Sequence, residues 1–134
     1  MKKQPKIGVL YSRVRVEEKW IFAVLEQLGI DYDRLDDRIF SFDMNNPEPW
    51  LKYDAVLERS ISYARGLYST RVLNAWGIPT VNTAKVAEVC GNKLATVTAL
   101  SSANVPQPET RVAYTPASAL TAIEEMGYPV VLKP

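Results

Sequence analysis

Three short segments concentrate the side chains that could do chemistry. The run Glu58-Arg-Ser-Ile-Ser-Tyr-Ala-Arg-Gly66 lies between an expected strand and an expected helix. Its Arg59 and Arg65 offer planar donor forks suited to carboxylate or phosphate, and Ser60 and Ser62 place hydroxyls near a helix N-terminus. The same residues would equally serve as a capped, salt-bridged helix start. Gly91-Asn-Lys93 opens a second helix. A lysine there, beside exposed backbone N–H groups, can pair with a phosphate, or can be an ordinary solvated lysine. Lys133 follows the apolar run Pro129-Val-Val-Leu132. It projects from the edge of an apolar wall, a good position for a phosphate oxygen, or else it marks a strand's exit to solvent.

Composition removes most other chemistries. The 134 residues contain no histidine, which excludes Ser-His-Asp and Cys-His catalysis and every His-dependent zinc site. Cys90 is the single cysteine, so there is no intramolecular disulfide and a reducing cytoplasm is the expected compartment; it reads as a small buried apolar residue. The six glycines never fall at dinucleotide-fingerprint or P-loop spacing. Sixteen Lys and Arg against fifteen Asp and Glu leave a net charge of +1, which attracts neither nucleic acid nor an anionic membrane surface. The N-terminal apolar run is too short for a signal peptide or a membrane span. Glu17-Glu-Lys19 reads as an acidic first turn suited to the helix dipole, and Asp31 to Arg38 as a solvated, alternating-charge stretch without calcium-loop spacing. Chemistry is left to Lys, Arg, Asp, Glu and the backbone.

The elements that must position these groups read as α/β. Ile7 to Tyr11 is a buried first strand, with further strands near 30–35, at 54–58 and at 80–82. Val16, Trp20, Val24 and Leu28, with Ile21 and Leu25, recur at helical spacing and predict the buried stripe of a first helix. Ala64, Tyr68, Val72 and Ala75 mark a second. Gly29, Gly77 and Gly127 each end an expected helix and open an expected strand, the alternation in which α/β units are written. Asn82-Thr83 caps a short helix to Cys90, and a further helix runs from Lys93 to about Ala103. Glu109 to Ala113 and Pro129 to Leu132 are expected strands, separated by a helix from Thr115-Pro116 to Met126. Residues 1–90 read as a complete α/β unit, and 91–134 as the opening of a second domain.

Taken together, Leu57-Glu-Arg-Ser-Ile-Ser-Tyr-Ala-Arg-Gly-Leu67, Gly77-Ile-Pro-Thr-Val-Asn82, Cys90-Gly-Asn-Lys-Leu-Ala-Thr96, Val105-Pro-Gln-Pro-Glu-Thr110 and Gly127-Tyr-Pro-Val-Val-Leu-Lys-Pro134 resemble the N-terminal part of ATP-grasp carboxylate–amine ligases. The similarity is greatest to the lysine- and arginine-biosynthesis branch, which joins α-aminoadipate or glutamate to an amino-group carrier protein. The resemblance implies a Rossmann-like pre-ATP-grasp domain over 1–90 and the beginning of an ATP-grasp domain over 91–134. It implies ATP and Mg2+ as cofactors, with Lys93 and Lys133 on the nucleotide phosphates and Arg59, Ser60 and Arg65 as candidates for the acceptor side. The implied partners are the carrier protein and a small acidic amino acid, and assembly into a homo-oligomer would fit the family. Asn92 stands where the family commonly has aspartate. The magnesium ligands are expected beyond residue 134, so these 134 residues alone are expected to be inactive. A ribosomal-protein glutamate ligase of the same shape and a stand-alone, non-catalytic α/β binding domain are the competing readings.

Overall fold

The computed structural model describes residues 4–133. Four parallel strands, β1 (Lys6–Tyr11), β2 (Asp31–Asp36), β3 (Ala55–Arg59) and β4 (Thr80–Val81), form one sheet in the order β2-β1-β3-β4. Helix α1 (Val16–Gln27) connects β1 to β2, and α2 (Tyr63–Ala75) connects β3 to β4. Helix α3 (Ala84–Gly91) follows β4. Parallel neighbours require such crossovers, and the helices then cover the sheet. Gly29 and Gly77 adopt φ of 65° and 78°, which lets the chain leave α1 and α2 and turn directly toward the next strand.

Period-two alternation along β1 divides the apolar residues between two faces. Val9 packs with Phe22 and Leu25 of α1 on one side. Leu10 joins Val56, Leu73, Ile78, Tyr53 and Trp50 on the other. The segment between β2 and β3 is irregular, yet it closes this second core through Phe40 and Phe42, whose rings lie 5.0 and 4.5 Å from that of Trp50. Gly8, at the centre of β1, leaves room for this packing: a Cβ there would meet Leu35 Cδ1 at 2.8 Å and Val56 Cγ2 at 3.1 Å. Gly8→Ala is therefore expected to lower stability by about 1–2 kcal/mol, read from the midpoint of urea unfolding.

The strands expected from sequence up to Val81 are present; of the stripe expected on α1, Leu25 is buried and Ile21 packs beside it, but the rest of that stripe and the face expected on α2 do not turn inward. Along α1 the buried residues are Glu18, Phe22 and Leu25, while Val16, Trp20, Val24 and Leu28 are exposed. The two stripes have the same helical period, so periodicity alone cannot choose between them. Burial of Glu18 is possible because two arginines satisfy its carboxylate, as described below. On α2 the buried face is Gly66, Leu67, Ser69, Thr70 and Leu73, and Tyr68 is exposed. Thr70 can be buried there because its hydroxyl donates to the carbonyls of Gly66 and Leu67 at 3.0 and 2.9 Å. Cys90, expected to be buried, is exposed.

The chain divides between Gly91 and Asn92. The second part holds α4 (Lys93–Ser102) and α5 (Pro116–Met126). Asn92 caps α4, its Oδ1 accepting the N–H of Ala95 at 3.1 Å, and Thr115 caps α5 by accepting the N–H of Ser118. The strands expected at Glu109–Ala113 and Pro129–Leu132 do not form. A strand is held by a ladder to a neighbour, and among the described residues neither segment has one; Val131 and Leu132 are largely exposed. No helix among the described residues is long and apolar enough to cross a membrane.

Candidate functional site

The sheet order places β2 on one side of β1 and β3 on the other, so the direction of winding reverses between β1 and β3. In open parallel sheets the crevice beyond the carboxyl ends of such strands is where ligands bind. Here that edge is lined by charged groups. β1 ends at Tyr11 and is followed by Ser12 and, at the N-cap of α1, by Arg15; β2 is followed by Asp37; β3 ends at Arg59 and is followed by Ser60.

Two buried carboxylates organise the edge. Glu18 is fully buried and receives both guanidinium groups. Arg15 donates from Nε to Oε2 at 3.0 Å and from Nη2 to Oε1 at 2.8 Å, and its backbone N–H also reaches Oε2 at 3.0 Å. Arg59 donates from Nε to Oε1 at 3.0 Å, with Nη2 at 2.9 Å from the same oxygen. The hydrogen bonds from Arg15, then that from Arg59, outweigh desolvation and hold the Glu18 carboxyl down at about 2. The second carboxylate is Asp37, with 1% of its side chain exposed. It accepts from the Ser12 hydroxyl at 2.6 Å and from Arg65 Nη1 at 3.0 Å. Ser12 in turn accepts the N–H of Ile61 at 3.0 Å, tying the end of β1 to the segment after β3. Asp37→Ala removes the acceptor for both groups and is expected to destabilise the protein by about 2 kcal/mol in a thermal or urea unfolding experiment.

Arg59, Ser60 and Arg65, close in sequence, therefore meet three different environments. Arg59 turns toward α1. Arg65 turns toward Asp37 and lines a hollow of about 280 Å³ with Phe40, Phe42 and Tyr68. Ser60 lines another, of about 260 Å³, with Glu58, Ser62, Tyr63 and Asn82. Its backbone N–H donates to Glu58 Oε1 at 2.6 Å, while its hydroxyl oxygen is buried without a hydrogen-bond partner among the described residues. Gly66 permits this arrangement, because a Cβ there would stand 2.6 Å from Glu58 Oε1. Lys93 and Lys133 belong to the second part of the chain. Lys93 is the first residue of α4, directly after the Asn92 cap, and Lys133 is exposed near the end of the chain. Neither side chain makes a hydrogen bond or ion pair among the described residues.

Ser12, Arg15, Glu18 and Asp37 did not stand out in the sequence. The usable signal was position: each lies just after a strand's carboxyl end or in the first turn of the helix that follows. No group of three or more Cys, Asp or Glu side chains among the described residues could hold a metal ion.

The fold and this edge define an open, Rossmann-like parallel α/β domain whose carboxyl edge carries carboxylate-braced cations. Residues 7–89 match the LysX preATP-grasp domain, and the chain belongs to that family. Over 96% of its length it is 34% identical to a glutamate–LysW ligase, ArgX, and 31% identical to an α-aminoadipate–LysW ligase, LysX, both of Sulfurisphaera tokodaii. The alignments cover 45% and 46% of those relatives, so the chain spans less than half of their length. Among solved structures, a RimK domain ATP-grasp protein from Sphaerobacter thermophilus superposes with a TM-score of 0.77 at 26% identity, over 92% of this chain and 47% of that one.

Proposed function

We propose that this chain is the N-terminal part of an ATP-grasp ligase that joins an acidic amino acid, glutamate or α-aminoadipate, to a LysW-type carrier protein. The observation that carries the reading is the near-complete alignment with LysW ligases of both substrate types. In the proposed reaction the γ-phosphoryl group of ATP passes to a side-chain carboxylate oxygen of the carrier's C-terminal glutamate, and ADP leaves. The α-amino nitrogen of the acidic amino acid then attacks the activated carbonyl carbon. The C–N bond forms, the C–O bond to phosphate breaks, and the nitrogen gives up a proton to solvent.

The chain's own residues would contribute charge and position. Lys93, at the start of α4, and Lys133 offset negative charge on the nucleotide phosphates. Arg59 and Arg65, each held by a buried carboxylate, present forks for the carboxylates of the acceptor side, with Ser60 beside them. The phosphate-covering loop and metal ligands that such a reaction needs would come from sequence outside these 134 residues, so the chain alone is expected to release no ADP.

The reading is tested by ADP release from the full-length protein that carries this chain. ADP is expected only when ATP, carrier and acidic amino acid are all present. ADP production indifferent to the carrier would contradict the assignment.

A further inference from the structure

The cluster at the ends of β1 and β3 contains more positive charge than its buried carboxylate needs. Glu18 carries one negative charge and is met by two guanidinium groups, which leaves the cluster with a net positive charge. Both arginines lie against the same oxygen, Oε1, so they stand side by side. Each uses its Nε and Nη2 side against Glu18, and neither Nη1 has a partner among the described residues. Forty per cent of the Arg15 side chain and 35% of that of Arg59 remain exposed. The Nη1 groups and the exposed ends of both side chains therefore remain open to an anion from solvent. Their free ends, on the side away from Glu18, lie beyond the carboxyl ends of β1 and β3, where the winding of the sheet reverses.

We propose that Arg15 and Arg59 together bind a carboxylate, with Glu18 as the positioning residue that fixes both forks. This rests on the ligase reading for the identity of the ligand, since that reaction supplies two sources of carboxylate: the free acidic amino acid and the glutamate-ended tail of the carrier. A planar carboxylate matches the end-on fork of a guanidinium through paired N–H donors. Two adjacent forks favour it over a neutral amide of the same shape. Arg15, which no sequence motif singled out, becomes a binding residue equal to Arg59. Glu18 touches no ligand and acts by keeping both side chains from sampling other rotamers.

The test is an NMR titration of the 134-residue chain that follows the Nε–H resonances of Arg15 and Arg59. Glutamate, a short peptide ending in glutamate, and glutamine are added separately. Saturable shifts of both resonances are expected with one of the two carboxylate probes at millimolar concentration, and none with glutamine. The probe that binds more tightly identifies the source. Arg15→Ala, at an exposed position, should weaken binding about tenfold as seen from Arg59 while the rest of the spectrum stays native. Glu18→Gln should weaken it similarly if it folds, and Glu18→Asp should recover part of the loss. Absence of saturable shifts at tens of millimolar for both carboxylates, or equal response to glutamine, would overturn the proposal. Because the titration needs no turnover, it can fail while the full-length protein still ligates, or succeed while ligation is absent, so the two proposals fail separately.

Discussion

Glu18→Ala is expected to destabilise the protein by about 3 kcal/mol, the largest effect of any single substitution at the carboxyl edge. The side chain is fully buried, and its removal leaves two guanidinium groups facing each other with no anion between them. The backbone N–H of Arg15 at the start of α1 also loses its acceptor. Urea unfolding of the 134-residue chain measures the loss directly. The same carboxylate gives the protein an acid-sensitive limb. Its carboxyl titrates at about 2 in the folded chain, below the usual value of 4.5, because the two arginines favour the charged form. A depressed folded value means that the contribution is complete above about 4.5 and is lost as pH falls from there through about 2. In Glu18→Gln that part of the pH dependence should vanish: the difference in stability from the native chain should be greatest above pH 4.5 and shrink toward pH 2. A constant difference across that range would show that Glu18 is not the titrating brace.

The second large effect concerns the nucleotide. If the full-length protein is the ligase proposed above, Lys133→Ala should raise its KM for ATP roughly a hundredfold, the scale of one lost charge-assisted contact to phosphate. Its melting temperature should stay unchanged, since Lys133 is exposed and makes no ion pair among the described residues. Separate KM measurements for ATP, carrier and amino acid place the loss, because a phosphate contact moves the first and spares the others. An unaltered ATP KM would remove Lys133 from the phosphate role.

The parallel sheet was legible in the sequence because its signals were local and mutually consistent. Ile7 to Tyr11 is apolar over strand length, and glycines end α1 and α2 where positive φ is needed. Side-chain orientation was less legible. Val16, Trp20, Val24 and Leu28 are as regularly spaced as the face that is buried, and an acidic residue at position 18 argues for solvent. Burial of Glu18 rests on Arg15, three residues before it, together with Arg59, 41 residues away in sequence. Asp37 is the same case. It belongs to a stretch that reads as solvated charge, and its burial depends on Ser12 and Arg65 from other elements. The strands expected in the second part failed for a related reason, since an apolar run such as Val130 to Leu132 states a preference but a ladder needs a partner. Arg59 and Arg65 could be read from sequence as anion-binding types, whereas the pairing of Arg59 with Arg15 is a product of the fold.

The most direct measurement of the account is the intact mass of a LysW-type carrier after incubation with the full-length protein, ATP and equal amounts of glutamate and α-aminoadipate. A gain equal to one of these residues, dependent on ATP, is the expected result, and the mass identifies which amino acid is used. A carrier of unchanged mass, in the presence of a folded protein that binds ATP, would contradict the assignment of this chain to a LysW-type ligase.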